Sequence, residues 1–192
     1  MDNSLLSIDK DPMGQAIADF HKMEGCCDLP EFNGYKDILV PKSDELTEYL
    51  KVISKRADDV RNGYVKRTED NMLCITNDGR MAALDVRLVD EKVKFNIQSQ
   101  VMACARNVWK YYIESINQNS TQLVFCDIST PKDGFNIYDD LKKLLIMMGV
   151  PSEDIAYIHD ATTEKKREIL FEKVRNGQIR ILLGSTSKLG LG

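Results

Sequence analysis

The chain has 192 residues, 43% of them apolar and 29% charged, with 26 Lys and Arg against 30 Asp and Glu for a formal net charge of −4. That composition suits one sizeable domain, or one domain with a helical annex; no stretch reaches the length of a membrane span, and the start lacks a basic region followed by an apolar run, so a cytoplasmic globular protein is expected. The acidity opposes phosphate binding by the chain as a whole but sits at the front: residues 1–40 carry three Lys or Arg against eight Asp or Glu and residues 151–192 seven against six, which leaves room for a local basic edge near the carboxyl end.

Residues 1–40 read as a lead-in segment, with a short helix over Asp11–Glu24, a turn-rich CCDLPEFNGY and a brief strand over Asp37–Val40. The five cysteines, Cys26, Cys27, Cys74, Cys104 and Cys126, share no repeated spacing, so reduced thiols are expected rather than a disulfide framework. His21 with Cys26 and Cys27 is a poor metal set, because adjacent cysteines do not readily share a tetrahedral site; no metal site is expected.

Residues 41–120 read as a helical segment. After Pro41, the residues Leu46, Tyr49, Leu50, Ile53 and Ala57 recur at helical spacing until Gly63 supplies a stop. Two further helices are expected over Asp70–Val89, with Gly79 as a bend or break, and over Gln98–Asn117. The second of these carries a broad stripe of Val101, Met102, Ala105, Val108, Trp109, Tyr112 and Ile116, read as core.

From Thr121 the pattern changes to short apolar runs separated by amphipathic stretches: QLVFCDI, a Pro/Gly loop, a helix near Tyr138–Met148, IAYI, a helix near Glu164–Asn176, and IRILLG. This β-α-β-α-β order favours an α/β fold with three parallel strands and helices on the sheet. In such sheets ligands gather outside the carboxyl ends of the strands, where Asp127, His159-Asp160 and GSTSKLGLG fall. Thr162 and Thr163 precede a Glu-bearing first turn and read as helix caps. His159 reads as a satisfied loop histidine, and Arg167 as pairing along its helix with Glu164 or Glu168.

The motif order in residues 121–192 resembles the second RecA-like lobe of superfamily-two helicases, nearest to the Swi/Snf-type helicase-like ATPases. TQLVFCD is similar to the fourth motif, IAYIHDATTEKKREILFEKVRNG to the following strand and helix with Arg167 on a characteristic arginine, and LLGSTSKLGLG to the fifth motif. More narrowly, DNMLCITNDGRMAALDVRL and STQLVFCDISTPKDGFNIYDD resemble segments of the helicase and adenine-methylase polypeptides of phages, plasmids and conjugative elements, a likeness covering roughly residues 38–192. Asp160 stands where the pattern usually has glycine, and Ser187-Lys188-Leu189 replace an Arg-Ala-Gly stretch.

The resemblance implies an incomplete three-stranded RecA-like lobe over residues 121–192, cut within the fifth motif, in a DNA helicase or translocase. Ser185, Thr186 and Lys188 would then contact nucleic-acid phosphate, and Gly190 and Gly192 would let the backbone approach a nucleotide. ATP and magnesium are implied for the intact protein. None is expected on this chain alone, which has no GxxxxGK[ST], no DExx-type magnesium box in a strand context and no arginine-bearing sixth motif, and therefore no catalytic residue. DNA and the missing first lobe are the implied partners, and a homodimer would cover sheet surface that an intact lobe hides. The plainer readings are a terminal loop without ligand and a solvated Lys188. The alternative function is a non-catalytic protein- or nucleic-acid-binding remnant of such a lobe. An independent doubly wound nucleotide enzyme is disfavoured by the absence of a phosphate fingerprint after the first strand.

Overall fold

Ser43 adopts extended backbone angles and its hydroxyl accepts the amide of Leu46; from this cap helix α1 runs over Asp44–Arg61. The helix ends at Asn62, and Gly63 takes the left-handed φ of 73° that follows a helix most easily at glycine. The structure, a computed structural model, describes residues 34–189. The expected helix Asp11–Glu24, the pair Cys26 and Cys27 with His21, and the glycines Gly190 and Gly192 lie outside the described residues. From Ile38 onward the chain forms one unit.

The expected strand Asp37–Val40 does not form. These residues have no regular structure, with Leu39 92% exposed, because an apolar run becomes a strand only where another strand supplies a hydrogen-bond ladder. Helix α2 covers Met72–Leu84, capped by Asn71, whose side chain accepts the amides of Leu73 and Cys74. The helix runs through Gly79 without a break, and the expected helix to Val89 stops instead at Asp85. The Asp85 carboxylate accepts the Arg87 amide at 3.0 Å, a local bond that competes with helix continuation and opens a single 3₁₀ turn, Val86–Leu88.

Helix α3 spans Gln100–Glu114 from a Ser99 cap, three residues short of the expected end at Asn117. Strand β1 is Gln122–Phe125, helix α4 Ile137–Met147, strand β2 Ile155–Tyr157, helix α5 Glu164–Arg175, strand β3 Ile181–Gly184, and a single turn α6 Thr186–Leu189 follows. Asn136 caps α4 and Thr163 caps α5, so one of the two threonines expected at that start performs the task.

The three strands are parallel, as their pattern implies, in the order β1-β3-β2. The latest strand in sequence is the central one, with Gln122 and Ile155 both opposite Ile181 and Val124 and Tyr157 both opposite Leu183. On that face Ile181 and Leu183 pack with Val101, Ala105, Val108 and Tyr112 of α3 and with Ile137, Tyr138, Leu141 and Leu145 of α4. Each fully buried Val, Leu or Ile among them contributes roughly 1.5–3 kcal/mol. The α3 stripe is therefore core along most of its length, but its Ile116 lies beyond the helix and is half exposed, and Trp109 is 39% exposed with its indole N–H donating to the Met148 carbonyl. On the opposite face Leu182 is buried whereas Leu123 and Phe125 are half exposed.

Arg87 joins the helical stretch to the layer carrying the sheet. Its guanidinium donates to both Asp85 oxygens, at 2.9 and 2.7 Å, and to Asp140 of α4 at 2.7 Å. It also lies 4.9 Å from the ring centroid of Phe95 and 4.6 Å from that of Phe135. Among the described residues no helix is long and apolar enough to cross a membrane.

Candidate functional site

Parallel strands carry their neighbouring carboxyl ends to one edge of the sheet, so the segments after β1, β2 and β3 share a rim. Asp127 follows β1, His159 and Asp160 follow β2 in a 3₁₀ turn over Ile158–Asp160, and Ser185 to Leu189 follow β3. Of the candidate phosphate contacts, Thr186 and Lys188 are exposed and Ser185 is buried. The Ser185 hydroxyl faces that of Ser187 at 3.0 Å, and its carbonyl accepts the amides of Lys188 and Leu189, each at 3.0 Å, which closes the turn.

Gly184 lets this turn fold back onto the sheet. A Cβ at this position would stand 2.5 Å from Leu189 Cγ and 2.7 Å from Ile158 Cγ2, closer than carbon atoms pack. Only a residue without a side chain brings the segment after β3 against the segment after β2 in this arrangement.

The side chain that meets the turn is Asp127. One carboxylate oxygen accepts the Thr186 amide at 2.7 Å and the other accepts the Thr186 hydroxyl at 2.8 Å. The hydroxyl, then the amide, hold the Asp127 carboxyl below the usual carboxylate range, and the charge of Arg80 adds in the same direction. Asp127 stands at the carboxyl end of β1 in the primary sequence, but its pairing with Thr186 was not legible there. The one available signal is that both residues immediately follow apolar strands; only the sheet order makes those strands neighbours.

Behind the rim, the Tyr138 hydroxyl donates to the Cys126 carbonyl at 2.6 Å, and the Tyr138 ring stands edge-on to Tyr157 and to His159. Burial, followed by the charges of Cys126 and Asp127, raises the Tyr138 phenol well above its ordinary value, so it stays protonated as a donor. His159 differs from its expected satisfied state: Nδ1 is buried without a hydrogen-bond partner among the described residues. Burial, then the charge of Lys188, lowers its pKa, against a smaller opposing effect from Asp160. Arg167 pairs locally as expected, donating to the Ala161 carbonyl at 3.4 Å and lying 4.0 Å from Glu164.

Chemically, the rim offers an exposed amide and hydroxyl on Thr186, an ammonium on Lys188, and a carboxylate that engages both Thr186 donors. Among the described residues no group of three or more His, Cys, Asp or Glu is arranged to hold a metal ion. Comparisons with protein-family models, with curated proteins and with solved structures found no match for this chain.

Proposed function

We propose that residues 121–192 are part of the second motor lobe of a Swi/Snf-type helicase-like ATPase acting on DNA, with the turn after β3 contacting backbone phosphate. The observation that supports this reading is the meeting of Asp127, His159-Asp160 and Ser185 to Lys188 at one rim of a parallel sheet, in the motif order TQLVFCD, IAYIHD, LLGSTSKLGLG. In this role the Thr186 amide and hydroxyl donate to phosphate oxygens, Lys188 adds charge, and Ser185 shapes the turn from within. Such contacts hold the strand without reading its bases, which suits a motor that steps along any sequence. ATP and magnesium are engaged only together with a lobe that carries a phosphate-loop lysine, which the 192 residues do not contain.

The test is the affinity of the full chain for a fluorescein-labelled single-stranded deoxyoligonucleotide, followed by anisotropy over a range of salt. Lys188→Ala should reduce the slope of log K against log salt by about 0.7, the value of one phosphate contact on a single strand, without changing the fold. No binding at low salt by either the chain or its Asp127→Asn variant, or ATP turnover by the chain that survives stringent purification, would overturn the reading. A second reading, a non-catalytic binding module, is favoured by Leu123 and Phe125, half exposed on the edge strand β1. In that reading a protein partner covers this face; where that partner is a second copy of the chain, light scattering at high concentration shows a dimer, and a clean monomer removes the second copy as the occupant.

A further inference from the structure

The Asp127 carboxylate is the acceptor for both hydrogen-bond donors that Thr186 presents, at 2.7 and 2.8 Å. Asp127 and Thr186 are exposed and 59 residues apart, so this contact is made by the sheet order and not by local chain geometry. A two-oxygen anion engaging an amide and a hydroxyl together is also how a phosphate group would sit on them. We propose that Asp127 is a built-in competitor for nucleic-acid phosphate, an autoinhibitory carboxylate that must leave Thr186 before a phosphate oxygen can bind there. The inference rests on the reading of this rim as a nucleic-acid contact and adds its regulation.

Two physical effects act in the same direction. While Asp127 engages Thr186, a phosphate oxygen has no free donor on that residue. Even after the carboxylate swings aside, its negative charge remains near an incoming phosphate and offsets the positive charges of Lys188 and of Arg80, whose field reaches Asp127. The rim therefore binds weakly until something removes or redirects Asp127.

The experiment compares the full chain with Asp127→Asn, Asp127→Ala, Thr186→Val and the double variant Asp127→Asn/Thr186→Val, using the same labelled single-stranded oligonucleotide at low salt. Circular dichroism and the urea midpoint verify folding, and Asp127→Asn preserves shape and one acceptor oxygen while removing the charge. Asp127→Asn should bind about fivefold more tightly, the effect of one unit charge at roughly 4 Å in water. Asp127→Ala should bind at least as tightly as Asp127→Asn, and Thr186→Val should weaken binding more in the Asp127→Asn background than in the wild-type chain, where Asp127 already occupies the hydroxyl. If the wild-type chain binds and both Asp127 variants bind equally or more weakly, Asp127 instead positions the turn and the inference falls while the reading of the rim stands. If neither the wild-type chain nor any Asp127 variant binds, the reading of the rim fails and takes the inference with it.

Discussion

Replacing Arg87 should separate the helical stretch from the layer that carries the sheet. Its side chain is 13% exposed and faces Asp85 and Asp140, which are 5% and 19% exposed. Removing one partner from a buried ion pair typically costs about 3–5 kcal/mol, because the remaining charge is stranded. Here the cost is moderated: Asp85 retains the backbone amide of residue 87 at 3.0 Å, and Asp140 reaches some water. Stacking against Phe95 and Phe135 adds roughly 0.5–1 kcal/mol for each ring. Arg87→Ala is therefore expected to lose about 3 kcal/mol, or about 6–12 °C in Tm for a chain of this size. Arg87→Lys should recover less than half, because an ammonium cannot span both Asp85 oxygens as the planar guanidinium does. Urea unfolding with an unchanged m-value is the assay. A loss below about 1 kcal/mol for the alanine variant, or wild-type stability for the lysine variant, would refute the argument that this cluster couples the two parts.

Gly184→Ala should push Leu189 off Ile158 and loosen the turn after β3 at a cost of about 1–3 kcal/mol; loss of hydrogen-exchange protection at the Thr186 amide without loss of the α4 amides checks it, and unchanged protection refutes it. Among the described cysteines, iodoacetamide should modify exposed Cys74 first. Cys104, whose thiol burial pushes up to about 11, and Cys126, raised chiefly by burial, should react only as the fold opens, as peptide mapping would show. His159 has a folded-state pKa below its ordinary 6.5, so the unfolded chain takes up the proton first, and stability present above about pH 6.5 should decline as pH falls toward the depressed folded value. A His159→Gln variant should flatten that part of the profile of urea midpoint against pH; an identical slope would remove His159 as its source.

The start of α5 is readable from Thr162 and Thr163 because a cap is a local device, and three other helices begin in the same way. Ser43, Ser99, Asn136 and Thr163 each combine a short polar side chain with a following amphipathic run, and each accepts an amide three residues on. The parallel strands were readable from three apolar runs separated by helices. The order of the strands was not, since nothing in QLVF, IAY or ILLG specifies which of them sits between the other two. The same reason hid the Asp127–Thr186 contact, although both residues stood at strand ends. The end of α2 was misjudged because glycine was weighed as the breaker, whereas the Asp85 side chain, tied to Arg87, sets the stop. Arg180 shows the limit of reading a strand from hydropathy alone. It sits inside the apolar IRILLG run, yet it is 3% exposed, stacked 4.0 Å over the Tyr112 ring and donating to the Tyr112 carbonyl and the Ser115 hydroxyl.

The central position of β3 bears on how the chain acquires its sheet. β1 and β2 do not pair with each other, and among the described residues each finds its strand partner in Ile181–Gly184. While the polypeptide emerges from the ribosome, the helices can form by local contacts, but neither earlier strand has a ladder until those four residues appear. Sheet formation is thus a late, non-local step, and throughout synthesis of the intervening residues the apolar side chains of β1 and β2 await a template that has not yet been made.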